Sequence, residues 1–355
     1  MRQSTASRGS PAADVGPLRV GLIGLGTAGL RHAAACRKDG GVTLVAAADP
    51  SPAAAEAAAG LGLQCFPSYE QMIGAVHLDA VIISLPHAML AEAAIRCAGR
   101  GLHLLLEKPM AVTLKEADAV IAAARTAGVR LMVNFVHRFR AEYRQAKMLI
   151  DAGVIGRPAL VLDSMTSGRS TMPGWVWDRG LSGGGMMMYN GVHSVDRLAW
   201  LASSPIARVS AVAGTFCYPV EVEDTVVGAV VFQDGALGAM IQHKSDTVVT
   251  LGGWETTVWG TRGAIRISSG VLDVASDKEQ SRLQVQQDDR FLGAIREFSS
   301  AVGAGRDPQP GGADGWSALA SVLGLYEGAA TRRTIEIPAG EHRDTRTEQK
   351  RGEHP

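Results

Sequence analysis

The sequence predicts an α/β protein in two parts: a doubly wound parallel sheet, then an α+β region whose sheet is mixed or antiparallel. Three observations carry that prediction. From Pro17 to about Val133, apolar runs without polar alternation are separated by alanine-rich helical stretches, the pattern of a parallel sheet covered on both faces. After about residue 155, strands follow strands and turn signals replace helices. The opening strand ends in a glycine turn of the form that starts a helix in doubly wound sheets.

The elements can be taken in order. Strands are expected at Leu18–Ile23, Val42–Ala48, Ala80–Ser84, Leu102–Leu106 and Val129–Val133, with helices at Ala88–Arg100 and Leu114–Ala127 among the stretches between them. The second part has strand candidates at Ala159–Met165, Ile206–Phe216, Thr225–Phe232, Ala236–Gln242, Glu255–Trp259 and Ala264–Ile267. Asp234-Gly235 marks a hairpin and Thr261-Arg262-Gly263 another turn. Helices at Phe291–Val302 and Asp314–Ala330 close the chain, and no internal repeat is visible. Domains are expected at 17–135 and 136–338, flanked by disordered tails at 1–16 and 339–355, the first polar and small, the second dense in charge.

The glycine turn is the most informative local feature. Gly24-Leu25-Gly26-Thr27-Ala28-Gly29 is a G-x-G-x-x-G fingerprint: Gly24 permits the turn, Gly26 lets the backbone approach a pyrophosphate, and Gly29 lets helix and strand pack. The helix then offers free N–H groups, beginning near Thr27 and Ala28, to the phosphates. A chain with 42 glycines produces such matches by chance. The second apolar run, however, ends at Asp49, twenty residues after Gly29. An acid there suits the ribose hydroxyls of NAD and repels the 2′-phosphate of NADP, so NAD is the expected cofactor and NADP the lesser possibility.

Composition excludes other classes. Formal net charge is zero, which implies neither a nucleic-acid partner nor an acidic membrane surface. No apolar run reaches the length of a membrane span, and the N-terminal segment lacks the apolar core of a signal peptide. Cys36, Cys65, Cys97 and Cys217 are far apart with no C-x-x-C pair, which argues for reduced thiols in a cytoplasmic protein. The nine histidines form no cluster with metal-ligand spacing, so no metal is expected.

Three segments carry residues able to do chemistry. Glu107-Lys108-Pro109 follows the strand Leu102–Leu106, and ligands bind outside the carboxyl ends of strands in open α/β sheets. A surface ion pair is the competing reading. Ser182-Gly183-Gly184-Gly185 leads into Met186–Leu201, where a helix would put Tyr189 and His193 on one face with Asp196 a turn beyond. Such stripes also arise from packing alone. Asn134–Arg138 stands where the chain crosses between domains, and Arg138 there can meet a substrate or pair with a carboxylate across the junction.

Taken together, these motifs resemble the Gfo/Idh/MocA family of NAD(P)-dependent oxidoreductases. The likeness spans about residues 18–338 and rests on the fingerprint, Ser84-Leu85-Pro86-His87, Glu107-Lys108-Pro109, Asn134–Arg138 and Gly153-Val154-Ile155-Gly156. It also rests on Gly183-Gly184-Gly185 with Gly191-x-His193-x-x-Asp196, and on Trp259-Gly260-Thr261-Arg262-Gly263. The resemblance implies a Rossmann domain and a second domain with a large open, mostly antiparallel sheet whose face forms a homodimer or homotetramer. It implies oxidation and reduction of a secondary alcohol on a sugar, cyclitol or similar polyol. It assigns Gly24, Gly26, Thr27, Ala28, Gly29, Asp49, Ser84, Pro86, His87, Glu107 and Lys108 to the cofactor, Lys108, His193 and Tyr189 to catalysis, and Arg138, Trp175 and Asn190 to the substrate. Arg169 and Trp177 lie in the same candidate pocket loop, and the Lys108–Pro109 bond is expected to be cis.

The chain departs from the family pattern at three positions. Tyr189 stands where Asp is usual four residues before the histidine, His87 follows Pro86 where Asn is usual, and Leu90 replaces a histidine. In the implied mechanism Lys108 hydrogen-bonds the reacting oxygen, its pKa lowered by burial, while His193 moves the proton and Tyr189 donates to a substrate oxygen. The alternatives left open are an enzyme that retains NAD while cleaving glycosides or passing hydride between sugars, a dihydrodiol dehydrogenase, and a nucleotide sensor without catalysis.

Overall fold

The computed structural model describes residues 16–168, 172–247 and 253–340; the two expected tails lie almost wholly outside the described residues, and Arg169 lies outside them too. In the first part, strands β1 (Leu18–Ile23), β2 (Val42–Ala48), β3 (Gln64–Phe66), β4 (Ala80–Ile83), β5 (His103–Leu106) and β6 (Leu131–Val133) alternate with helices. These are α1 (Thr27–Cys36), α2 (Pro52–Gly60), α3 (Tyr69–Ala75), α4 (His87–Ala98) and α5 (Leu114–Ala127). The strands pair in parallel in the order β3-β2-β1-β4-β5-β6, so the order reverses between β1 and β4. That switch point is where a doubly wound sheet binds its ligand. Helix α5 shows why the local chemistry was readable: the Thr113 hydroxyl accepts from Glu116 N–H, Glu116 reaches back to Thr113 N–H, and Gly128 ends the helix at φ 67°.

A one-turn 3₁₀ segment, Val136–Phe139, carries the chain out of the first sheet. Helix α6 (Ala141–Asp151), strand β7 (Pro158–Ser167), the short α7 (Arg179–Ser182) and α8 (Val192–Ala202) follow. Then come β8 (Ile206–Gly214), β9 (Thr225–Phe232), β10 (Leu237–Lys244), β11 (Trp254–Gly260), β12 (Gly263–Ser268), β13 (Val271–Ser276) and β14 (Gln280–Gln284). The chain closes with α9 (Arg290–Gly303), α10 (Gly312–Thr331) and β15 (Ile335–Glu336). The nine strands form one sheet, β14-β13-β12-β11-β7-β10-β9-β8-β15, antiparallel except where β7 runs parallel to β10. Both expected hairpins form: Gly235 at φ 87° turns β9 into β10, and Thr261-Arg262 joins β11 to β12. The Gly153–Gly156 turn packs on the second of these, with Arg262 N–H donating to the Ile155 carbonyl at 2.9 Å. Lys108–Pro109 is cis, as is Gln309–Pro310.

Helices α8 and α10 cover one face of the large sheet, with Val195, Leu198, Leu319 and Leu325 buried in a core shared with Val161, Val230 and Met240. The other face leaves Leu160, Val212, Val227, Leu237 and Trp259 exposed.

One expectation needs correction. The boundary at 135/136 assigns α9 to the second domain, but Phe291, Ala294, Ile295 and Phe298 pack with Leu18, Val20, Leu22, Leu105 and Met132. This helix joins α1 and α2 in covering one face of the first sheet. Sequence spacing gives no signal for such a return, because an amphipathic helix does not specify which sheet it covers.

Candidate active site

The crevice begins at the turn between β1 and α1. Gly24 adopts φ 89°, and a Cβ on it would come within 2.1 Å of the Ser84 carbonyl oxygen; one on Gly29 would come within 2.0 Å of the Gly24 oxygen. A Cβ on Gly26 would instead meet nothing within 4 Å. Gly24 and Gly29 therefore close the turn against Ser84, while Gly26 leaves open the space that an approaching pyrophosphate needs. Gly26 is the N-cap of α1 and no side chain caps it, so the N–H groups of the first turn, from Thr27 and Ala28 onward, remain available. Asp49 sits across this turn: its carboxylate accepts from Leu25 N–H at 2.9 Å and Ser51 N–H at 2.9 Å. Two hydrogen bonds leave a carboxylate with lone pairs for hydroxyl donors. The residues present fit a dinucleotide.

Along the same edge of the sheet, Glu107 and Lys108 leave the end of β5. Glu107 Oε1 accepts from His32 Nε2 at 2.9 Å and from Asn134 Nδ2 at 2.6 Å. Burial opposes its ionisation, but these bonds and the charge of Lys108 outweigh it and hold the carboxyl below its usual range. Lys108 Nζ donates to the Tyr189 carbonyl at 2.9 Å and lies 4.6 Å from the centre of the Tyr189 ring. Burial lowers its pKa, and Glu107 only partly compensates.

The opposing wall is the turn that enters α8. Gly184 and Gly185 are required there: a Cβ on the first would lie 2.1 Å from the Tyr326 hydroxyl and one on the second 2.1 Å from the Glu223 oxygen. The Glu223 carboxylate accepts from Gly185 N–H, Met187 N–H and the Tyr326 hydroxyl. Residues Met187–Gly191 then form a single π-helical turn, a form that recurs at functional sites. It carries Tyr189 and the half-buried Asn190 and delivers His193 to the crevice.

His193 is 5 % exposed, its Nδ1 has no hydrogen-bond partner, and its ring stacks on His137 at 4.2 Å with planes 1° apart. Burial, then the charges of Lys108, Arg197 and Arg290, holds its pKa well below the usual histidine value. His137 Nδ1 accepts from Arg197, a fully buried guanidinium paired with Asp163 on β7. Ser194 and Thr256 hydroxyls also donate to Asp163. His193 is thus held by a stacked ring, and that ring by a buried ion pair.

Three residues expected from the sequence, His87, Arg138 and Trp177, take up different places around this crevice. His87, placed with the cofactor residues beside Ser84 and Pro86, is buried and donates from Nδ1 to the Ser182 carbonyl at 2.7 Å, which leaves Nε2 as an acceptor. Burial first and Lys108 second push its pKa down to about 3. It lies edge-on to Trp175 at 4.7 Å and stacks on Tyr189 at 6.0 Å, so these three residues converge beside Lys108. Arg138 does not join them: its guanidinium donates to Asp196 (Nη2–Oδ1 2.6 Å) and Asp314 (Nη2–Oδ1 2.8 Å). The carboxylate pairing open to Arg138 at the junction forms, and it takes up Asp196. Trp177 stacks on Tyr218 instead of lining this wall. Sequence reasoning missed His32, Asn134, His137 and Arg197 as parts of the site. Only the segment Asn134–Arg138 hinted at two of them, because their partners lie far away in the chain.

The comparisons agree with the geometry. Residues 18–135 match the oxidoreductase family with an NAD-binding Rossmann fold, and residues 143–266 match the GFO/IDH/MocA C-terminal domain. The chain is 30% identical to 1,5-anhydro-D-fructose reductase of Ensifer adhaerens, covering 91% of this chain and 99% of that one. It is 26% identical to inositol 2-dehydrogenase of Rhizobium meliloti (strain 1021), covering 90% and 99%. A structure of levoglucosan dehydrogenase in complex with NADH and levoglucosan superposes with a TM-score of 0.84, at 23% identity over 91% of this chain and 100% of that one. The fold and site define an NAD-binding dehydrogenase acting on CH–OH groups. The chain belongs to the Gfo/Idh/MocA family.

Proposed function

We propose that this protein interconverts a secondary alcohol and a ketone on a sugar, cyclitol or related polyol, using NAD. The observation that carries the reading is the convergence of Lys108, just past the end of β5, with Tyr189 on the π-helical turn that brings His193 on α8 to the same crevice. Bound NAD supplies the hydride acceptor. Lys108 orients the reacting hydroxyl and donates to the oxygen as it becomes a carbonyl. His193, held neutral by its burial, takes the hydroxyl proton. Tyr189, whose phenol burial pushes above its ordinary range, stays protonated and donates to a neighbouring substrate oxygen. Trp175 and Asn190 flank the substrate, and Asp49 selects NAD over NADP. The relatives named above act on polyhydroxylated rings by name, which supports the substrate class.

The exposed apolar row on the open face of the large sheet supports a homodimer or homotetramer formed through that face. No helix among the described residues is long and apolar enough to cross a membrane. All four cysteines are free, and burial raises Cys36 and Cys97 to about 12, in keeping with a reducing cytoplasmic setting. Among the described residues, no three His, Cys, Asp or Glu side chains are grouped to hold a metal.

The test is absorbance at 340 nm with NAD and with NADP over a panel of polyols, cyclitols and sugar acids. Lys108→Ala and His193→Ala run alongside. Turnover with NAD that falls roughly 10²-fold or more in each variant, with NADH binding retained, is expected. Wild-type rates in the variants overturn the assignment.

A further inference from the structure

Beside the described site, two arginines lack the partner that such residues normally have. Arg31 on α1 and Arg290 at the start of α9 both flank the Phe291 ring, with guanidinium carbons 5.9 Å from its centre in each case. They line a recess of about 300 Å³ with Ala34, Asp288, Asp289 and Phe291. Among the described residues neither makes an ion pair, and the buried Nε of Arg290 has no hydrogen-bond partner at all. The acids on the rim are already used: Asp289 pairs with Lys38 at 2.8 Å and caps α9, and Asp288 pairs with Arg144. A third cation nearby, Arg140, is taken up by Glu142.

Side-chain contacts connect the wall of the recess to the catalytic residues. Phe291 lies edge-on to His32 at 4.9 Å, and His32 bonds Glu107, the neighbour of Lys108. The charge of Arg290 acts on His193 and that of Arg31 on Tyr189. A buried guanidinium N–H without an acceptor costs stability unless a ligand supplies one. Arg also presents a planar fork suited to carboxylate and phosphate oxygens.

We infer that Arg290 and Arg31 form a subsite for an anionic group on the substrate, a carboxylate or a phosphate ester. The inference rests on the dehydrogenase reading above and narrows its substrate class to acidic sugars or cyclitols. Arg290 binds the anion and Arg31 closes it from the α1 side, so that the reacting hydroxyl lies toward Lys108.

The experiment titrates NADH-loaded protein at fixed ionic strength with matched probes. D-glucuronate and D-glucose 6-phosphate are each compared with D-glucose, and D-gluconate with sorbitol, so that the two arms separate carboxylate from phosphate. At least one acid is expected to bind roughly tenfold to a hundredfold more tightly than its neutral counterpart. The preference disappears in Arg290→Gln, shrinks in Arg31→Gln and is partly kept in Arg290→Lys, while NADH affinity stays unchanged and the thermal midpoint does not fall. No acid bound more tightly than its neutral counterpart overturns the subsite, whether or not the neutral compound is oxidised. A preference surviving in Arg290→Gln overturns it too, as does a loss confined to NADH binding, which would give the arginines to the cofactor. Loss of oxidation in Lys108→Ala reports on the dehydrogenase reading separately.

Discussion

The two walls of the crevice hold their key side chains by different means. On the wall from the first sheet, Glu107 and Lys108 are fixed by short hydrogen bonds to His32, Asn134 and the Tyr189 carbonyl. On the wall from the second, His193 has an unbonded Nδ1 and rests on a stacked ring, with rigidity supplied from behind by Arg197 and Asp163. The difference teaches that one wall is positioned by what it touches and the other by what supports its support. It also answers the departure at Tyr189. Without a carboxylate four residues before His193, and with Asp196 given to Arg138, orientation of the imidazole passes to His137.

The largest effect should come from the support. Arg197→Met leaves Asp163 buried and unpaired, at a cost of about 3–5 kcal/mol. The urea midpoint is expected to fall accordingly, and turnover of the folded fraction to fall while NADH affinity stays. Full turnover in that folded fraction would show that His193 needs no backing. A smaller effect separates the walls by pH. His87 at about 3, with His137 and His193 held low by burial, favours the uncharged ring in the folded state. The unfolded chain binds more protons below its histidine pKa of about 6.5, so stability is complete above that pH and is lost as pH falls toward 3. Denaturant titrations between pH 7.5 and 5 should show a loss approaching about 1.4 kcal/mol per pH unit for each such histidine, reduced by one share in His137→Asn. A flat profile would mean that these rings keep ordinary histidine pKa values in the folded protein. The smallest change is Tyr189→Phe, which keeps the ring over Lys108 and beside His87 and loses one donor. A few-fold drop in kcat/KM is expected, and a loss of 10²-fold would move the phenol into proton transfer.

Much of this was readable from residues alone, and the reasons for the rest are physical. The fingerprint, Asp49 and Glu107-Lys108 are local patterns whose geometry follows from one strand, one turn and one helix. Helix α5 was placed residue for residue because its caps are written in Thr113, Glu116 and Gly128. Strand β3 has three residues, too few for a period to show, and β14 has a single apolar residue, Leu283. Helix α6 buries Glu142 beside Tyr143, Ala146 and Ile150, so its inward face does not read as apolar. Arg138 carried two readings because a guanidinium reveals its partner only in three dimensions. The stack of His137 on His193 likewise leaves no trace at either position.

Helix α9 has a consequence for how the chain reaches this state. The nucleotide-binding sheet is complete at Val133, yet the core on one of its faces, shared with α1 and α2, stays unfinished until residues 290–303 have been made. At about 5–20 residues per second that interval is on the order of ten seconds. During it Leu18, Val20, Leu22 and Phe139 have α1 and α2 beside them on the emerging polypeptide but not yet Phe291, Ile295 and Phe298. A fragment cut after residue 135 would keep the fingerprint and Asp49 but lose Phe291, Ala294, Ile295 and Phe298 from that core, so the domain that holds the nucleotide draws part of its interior from far along the chain.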